Sequence, residues 1–373
     1  MEEIQVVLLN ILALLLLFIT LQPPIAENSY PLQQRLFPNF RESAFRGRDV
    51  FSLISGQAFL FWRNTGETPG SFLRLATVIV PSLLHLTIYG RPRVRQRHQK
   101  LNFINQILLV LMWLRKYPHV DSLALWFDID PSSVVRIVYK ILPELWRYFH
   151  NQIVWPNLLE WNNVMGNWPE FPSVVDTIDT TPHEIYRPLT EPQRPFYSGH
   201  RHYHCFNTQL VMDNRGHIRI LQAGFLGSMH DAVSFRLMEP IGPGRNLDLP
   251  PNAKLLADKA YPDGSALITP VRANQIPLLN NRERRRARRF NRVLSKRRFK
   301  VEHIFKEMKT YKAISQIWRH PRWLLPVCVE LAAFLAERRV RLFKGYKYSS
   351  RGQPILKTEH LKHSFQKCCF FIF

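Results

Sequence analysis

Three successive apolar strands joined by turns, then a helix, two shorter strands and a helix with one apolar stripe, occupy residues 171 to 311. That order predicts an α/β ribonuclease-H-like core, a mixed sheet flanked by helices. Three helix-period stretches with a tight turn before the last precede it, predicting a helical helix-turn-helix-like domain. The third observation is charge: 51 Lys and Arg against 28 Asp and Glu give a formal net +23 in a chain that is 46% apolar. Such a chain folds rather than staying disordered, and it favours a polyanionic partner: DNA, RNA or an anionic membrane surface.

The sequence divides into an apolar segment at 1–26, a basic region at 27–100, the helical domain at 101–169, the α/β domain at 170–345 and a tail at 346–373. Residues 6–21 are nearly all apolar but fall short of the roughly 20 residues that span a bilayer. Glu2 and Glu3 replace the basic flank of a signal peptide, so a packing helix or an extension is favoured over a membrane role. Near Phe40 and Phe45, Arg41, Arg46 and Arg48 are partly offset by Glu42 and Asp49. The run from Arg91 to Lys100 has five positive charges and no acid, and reads equally as a phosphate-contacting arm or a solvated linker.

In the helical domain, Ile104, Leu108, Leu111 and Met112 mark a first helix, and Val120, Leu123, Ala124 and Phe127 a second. Asp130 reads as the N-cap and Pro131 as the first residue of a third helix through Val134, Ile137, Val138 and Ile141. That helix would present Ser132, Ser133, Arg136 and Lys140 outward, with Arg136 and Lys140 as DNA contacts. The Trp-, Asn- and Pro-rich stretch 151–170 reads as a connector.

Strands are expected over Ser173–Asp179, His204–Met212, Ile218–Phe225, Lys254–Asp258 and Leu267–Thr269, the first three as an antiparallel meander. Two of them end in carboxylate: Asp179 after an apolar run, and Asp258 in Leu-Leu-Ala-Asp. A carboxylate at the carboxyl end of such a strand faces a crevice. A helix beginning near Arg298 adds Glu302, with Val301, Ile304, Phe305, Met308 and Tyr311 as its apolar stripe. Glu302, Lys306 and Lys309 share another face. Oxygen donors of this kind select Mg²⁺ or Mn²⁺, and two such ions can hold both the attacking and the leaving oxygen of a phosphodiester displacement. The bland alternative for each acid is a surface ion pair.

The motifs IDTTPHEIYRP at 178–188, GFLGSMHD at 224–231, LLADKAYP at 255–262 and VEHIFKEMK at 301–309, with WRHP at 318–321, occur in order. Together they resemble the DDE-type transposases of the PIF/Harbinger group and the nucleases derived from them. The resemblance implies a metal-dependent DNA endonuclease or transposase with Asp179, Asp258 and Glu302 as catalytic residues and metal ligands. It also implies a separate Myb-like DNA-binding protein as a possible partner. Asp231 matches an acidic family position and is read as capping the next helix or supporting the site.

The family has glycine where this chain has Thr180. Threonine does not readily take positive φ, so a need for that conformation would displace the first ligand. This motivates a second function, a domesticated DNA-binding or adaptor protein whose catalysis has lapsed. Asp176 is the fallback first ligand, though strand alternation sets it on the opposite face from Asp179.

Residues 282–300 hold eleven Arg or Lys against one Glu. Arg284, Arg285, Arg286, Arg288 and Arg289 are expected to grip phosphates, together with Lys306 and Lys309. The same run reads as a nuclear import signal, placing the protein in the nucleus. His200, His202 and His204 lack an evident fourth ligand for zinc; polar strand-edge residues, or phosphate contacts from the turn Tyr197-Ser198-Gly199-His200-Arg201, are the better reading. The four cysteines form no C-x-x-C, which fits a reducing compartment.

Overall fold

The structure, a computed structural model, describes residues 47–84, 100–261 and 266–342. The apolar segment 6–21, Arg41, Arg46, the run from Arg91 to Gln99, Pro262 and the 346–373 tail lie outside the described residues. Among the described residues no helix is long and apolar enough to cross a membrane.

The described part of the 27–100 region is a helical layer. Helices α1 (Val50–Ser55), α2 (Ala58–Thr65) and α3 (Pro69–Leu84) bury Phe51, Phe61, Phe72 and Leu75. They pack on α4 (Phe103–Lys116), whose Asn102 cap accepts the Asn105 N–H at 2.8 Å. Tyr117 closes α4 with φ 51°. Helix α5 (Val120–Phe127) follows, then a turn with Asp128 at φ 51°. Asp130 caps α6 (Pro131–His150) by accepting the Ser132 N–H, with Pro131 in the first turn, as its sequence predicts. The stretch after α6 contains the five-residue α7 (Leu158–Asn162). Its Trp161 and nearby Trp168 are buried, so the connector contributes core.

The sheet begins with β1 (Val174–Glu184), which runs five residues past Asp179. After β2 (Tyr197–Ser198), β3 (Tyr203–Asp213) and β4 (Ile218–Leu226) complete the antiparallel group. Helix α8 (Asp231–Leu237) crosses over to β5 (Lys254–Leu256) and β6 (Leu267–Ile268), which are parallel to β1. The hydrogen-bonded order is β2-β3-β1-β5-β6, with β4 on β3. This mixed sheet with flanking helices fits the ribonuclease-H-like fold.

Both sheet faces are covered. Ile178 pairs with Val211 on one face, which buries them with Trp161, Phe225 and Met238. Asp179 pairs with Leu210 on the other, where α9 (Asn281–Met308), α10 (Lys312–Ser315) and α11 (Leu324–Leu342) lie. Helix α9 is one helix of 28 residues, not a basic stretch followed by a helix from Arg298. Its Asn280 and Glu283 form a reciprocal capping box, and its buried side includes Ala287, Leu294, Val301 and Met308. The core that holds α1 to α6 also takes in Val301, Met308 and much of α11, so the helical and α/β parts share one interior.

Candidate active site

Strand β1 carries Asp179 to the face beneath α9, and the chain leaving β5 carries Asp258 beside it. Arg298 of α9 reaches both: its Nη2 lies 3.0 Å from Asp179 Oδ2 and its Nη1 lies 3.3 Å from Asp258 Oδ1. The other oxygen of Asp179 accepts the Thr180 N–H at 2.9 Å, and Asp258 Oδ1 accepts the Lys259 N–H at 2.8 Å. Burial pushes the Asp179 carboxyl up to about 6, and the charges of Asp258 and Asp231 add to that; Arg298 and the Thr180 N–H pull the other way. Glu302 is one turn beyond Arg298 on α9 and lines a cleft of about 460 Å³ with Asp179, Arg201, Tyr203 and Lys309.

Thr180 is an ordinary strand residue opposite Gln209 and does not take positive φ. The expected displacement of Asp179 is therefore not found. Its hydroxyl lies 2.8 Å from the Tyr261 hydroxyl. Gln209 Nε2 in turn donates to Tyr261 at 3.4 Å. The pattern is satisfied in one direction: Gln209 to Tyr261, and Tyr261 to Thr180. Asp231 is the first residue of α8, with no side-chain cap bond from His230 before it; burial, foremost, raises its carboxyl above the usual range. Asp176 is on the Thr180 face, wholly buried opposite Asp213, and so cannot substitute for Asp179.

The donor set suits a hard cation: Asp179 and Asp258 offer only oxygen, and both already reach one positive group. Among the described residues, no three His, Cys, Asp or Glu are gathered closely enough to ligate one ion as they stand. Glu302 thus shares the cleft with Asp179 without completing a ligand cluster.

Comparison with known proteins adds to this geometry. Residues 178–337 match the DDE superfamily endonuclease family, and residues 99–148 match the helix-turn-helix of DDE superfamily endonuclease. The chain carries a DDE endonuclease domain and its helix-turn-helix domain. It is also 27% identical, over 228 residues, to a probable transposase for insertion sequence element IS702 from Microchaete diplosiphon, covering 60% of this chain and 76% of that one. These matches support a DDE transposase family. No solved structure matches.

In the endonuclease domain, Arg285, Arg286, Arg288 and Arg289 are exposed along the first half of α9. Arg284 is not available in the same way: it donates to the carbonyls of Pro277 at 3.0 Å and Leu279 at 3.2 Å. Arg297 pairs with Glu170, Arg298 with the two aspartates, and Lys300 donates to the Asn214 carbonyl at 2.7 Å. Four of the eleven basic residues of this stretch are therefore held by protein partners. Lys306 is exposed and Lys309 half-buried, both on the cleft.

In the helix-turn-helix domain, Arg136 is exposed on α6, as expected. Lys140 is not: it is 1% exposed, with its ammonium 4.9 Å from the centre of the Phe103 ring and 3.5 Å from Gln106 Oε1. Helix α4 covers the face on which Lys140 lies, which removes it from any DNA surface. Arg201 and Tyr203 are cleft residues that the motifs did not single out as a site; the basic turn at 197–201 was the available signal.

Proposed function

We propose that the protein is a divalent-metal-dependent DNA endonuclease of the transposase type, similar in its motifs to the PIF/Harbinger group. The observation that carries this reading is the pair Asp179 and Asp258, brought from two strands onto a single cationic group, with Glu302 in the same cleft. Asp179, Asp258 and Glu302 would hold Mg²⁺ or Mn²⁺, which supplies activation of the attacking oxygen and neutralisation of the leaving one. The exposed arginines of α9 would hold the DNA backbone, and α6 would meet DNA through Arg136. A nuclear location and a Myb-like partner belong to this reading.

The test is a Mn²⁺ titration and a cleavage assay of the full chain beside Asp179→Asn, Asp258→Asn and Glu302→Gln. Saturable binding and cleavage are expected in the parent and lost in all three, with circular dichroism unchanged. A cleavage rate unaffected by Asp258→Asn would overturn the catalytic assignment. A second reading, a DNA-binding protein with lapsed catalysis, draws on Arg298 already pairing with both aspartates. It predicts salt-sensitive DNA binding with no cleavage under any divalent ion.

A further inference from the structure

The cleft that Asp179 and Glu302 line also carries positive charge on its other side. Arg201, from the turn between β2 and β3, and Lys309, just past α9, line it together with Tyr203 and Lys306. Neither Arg201 nor Lys309 has an ion pair among the described residues. Burial, and after it the charge of Arg201, holds the Lys309 ammonium below its usual range. Two cations kept close to each other in a partly enclosed cleft form a place where an anion is favoured.

The turn that presents Arg201 is built rather than loose. His202 takes φ 61° between the two lining residues, a conformation that a side-chain-bearing residue rarely adopts. The His202 N–H donates to the Ser198 carbonyl at 2.8 Å, and the Arg201 N–H donates to the Ser198 hydroxyl at 3.3 Å. An arginine fork, a lysine point charge and a phenol hydroxyl together suit a phosphate oxygen pair. We propose that Arg201, Tyr203 and Lys309 form a subsite for a backbone phosphate of the DNA strand, next to the phosphate being cut. This rests on the endonuclease reading for its substrate, while the subsite itself is read from binding alone.

The experiment is fluorescence anisotropy of a short labelled DNA duplex with the full chain, in EDTA, across a salt series. Arg201→Ala and Lys309→Ala are each compared with Arg245→Ala, an exposed control in the loop between α8 and β5. Releasing one phosphate lowers the slope of log K against log salt by about 0.9. The difference from the parent then grows roughly eightfold for each tenfold dilution of salt. Arg201→Lys should recover part of the slope. An Arg201→Ala slope equal to the parent's would overturn the subsite, even with cleavage intact. A changed slope in a protein that never cleaves would retain the subsite and remove the endonuclease reading. Thymidine monophosphate is the second probe. If it binds the parent but not Arg201→Ala, while the DNA slope stays unchanged, the site takes free phosphate and the DNA assignment fails.

Discussion

Thr180 stands where a glycine would be expected, yet it is a strand residue without positive φ and its hydroxyl meets that of Tyr261. Thr180→Gly should therefore lower stability by roughly 0.5 to 1 kcal/mol, the cost of glycine inside a strand, without raising activity. Paired denaturant melts and cleavage rates check both. Asp176 behaves differently. It is wholly buried, both its oxygens lack hydrogen-bond partners in the structure, and burial followed by the Asp213 charge pushes its carboxyl well above 3.8. The folded state keeps that proton while the unfolded chain loses it, so stability falls as pH rises above about 3.8 towards the folded value. Asp176→Asn should thus gain melting temperature on the parent as pH goes from 4 to 8. A constant difference across that range would refute the account. For Asp179, with its carboxyl near 6, proton and cation compete, and Mn²⁺ affinity should climb between pH 5 and 7. That Asp179 and Asp258 approach each other could be anticipated from sequence, because each follows an apolar run that fixes its place. Lys140 could not, because helical spacing does not say that Phe103 and Gln106 arrive from another helix to cover it.

At the scale of the element, α9 links the basic run to the cleft in one rigid rod. The sequence hid this continuity, because residues 282–300 are so charged that no apolar stripe stands out before Val301. Two signals were nevertheless present: the Asn280–Glu283 capping box, and the sevenfold spacing of Ala287, Leu294, Val301 and Met308. Replacing Arg285, Arg286, Arg288 and Arg289 together by alanine should reduce the salt slope of DNA binding by about 0.9 for each phosphate no longer neutralised. Helicity should hold or increase, since alanine is the better helix former. Loss of helical signal instead would show that the charges shape the element and do not merely decorate it. Strand β1 shows the complementary case. Its ending was expected at Asp179, where the apolar run stops, but pairing with β3 carries it on through Pro182. Beyond Thr177 the β5 side of β1 has no ladder, so a residue without an N–H is tolerated there.

Across the whole molecule, the boundary between the helical and α/β parts is a place of dense bonding. Arg338 of α11 reaches the fully buried Glu67 at 3.1 Å. Tyr117, at the end of α4, stacks on Trp318 with ring centres 5.8 Å apart, and its hydroxyl accepts the Arg319 N–H at 2.7 Å. Phe72→Ala, in a helix outside both family matches, should cost about 3 to 5 kcal/mol and lower a single shared melting transition. Two separated transitions in calorimetry would contradict a common interior. The WRHP motif could be seen in the sequence, but its role could not, since its partners lie some 200 residues earlier. Glu67 had no signal at all, being one acid in a stretch read by its arginines. The Tyr117–Trp318 stack has a consequence for engineering. A foreign helical domain grafted in front of Val174 would leave Trp318 and Arg338 without their counterparts. The two halves should therefore be moved between designs as one block that includes residues 50–84.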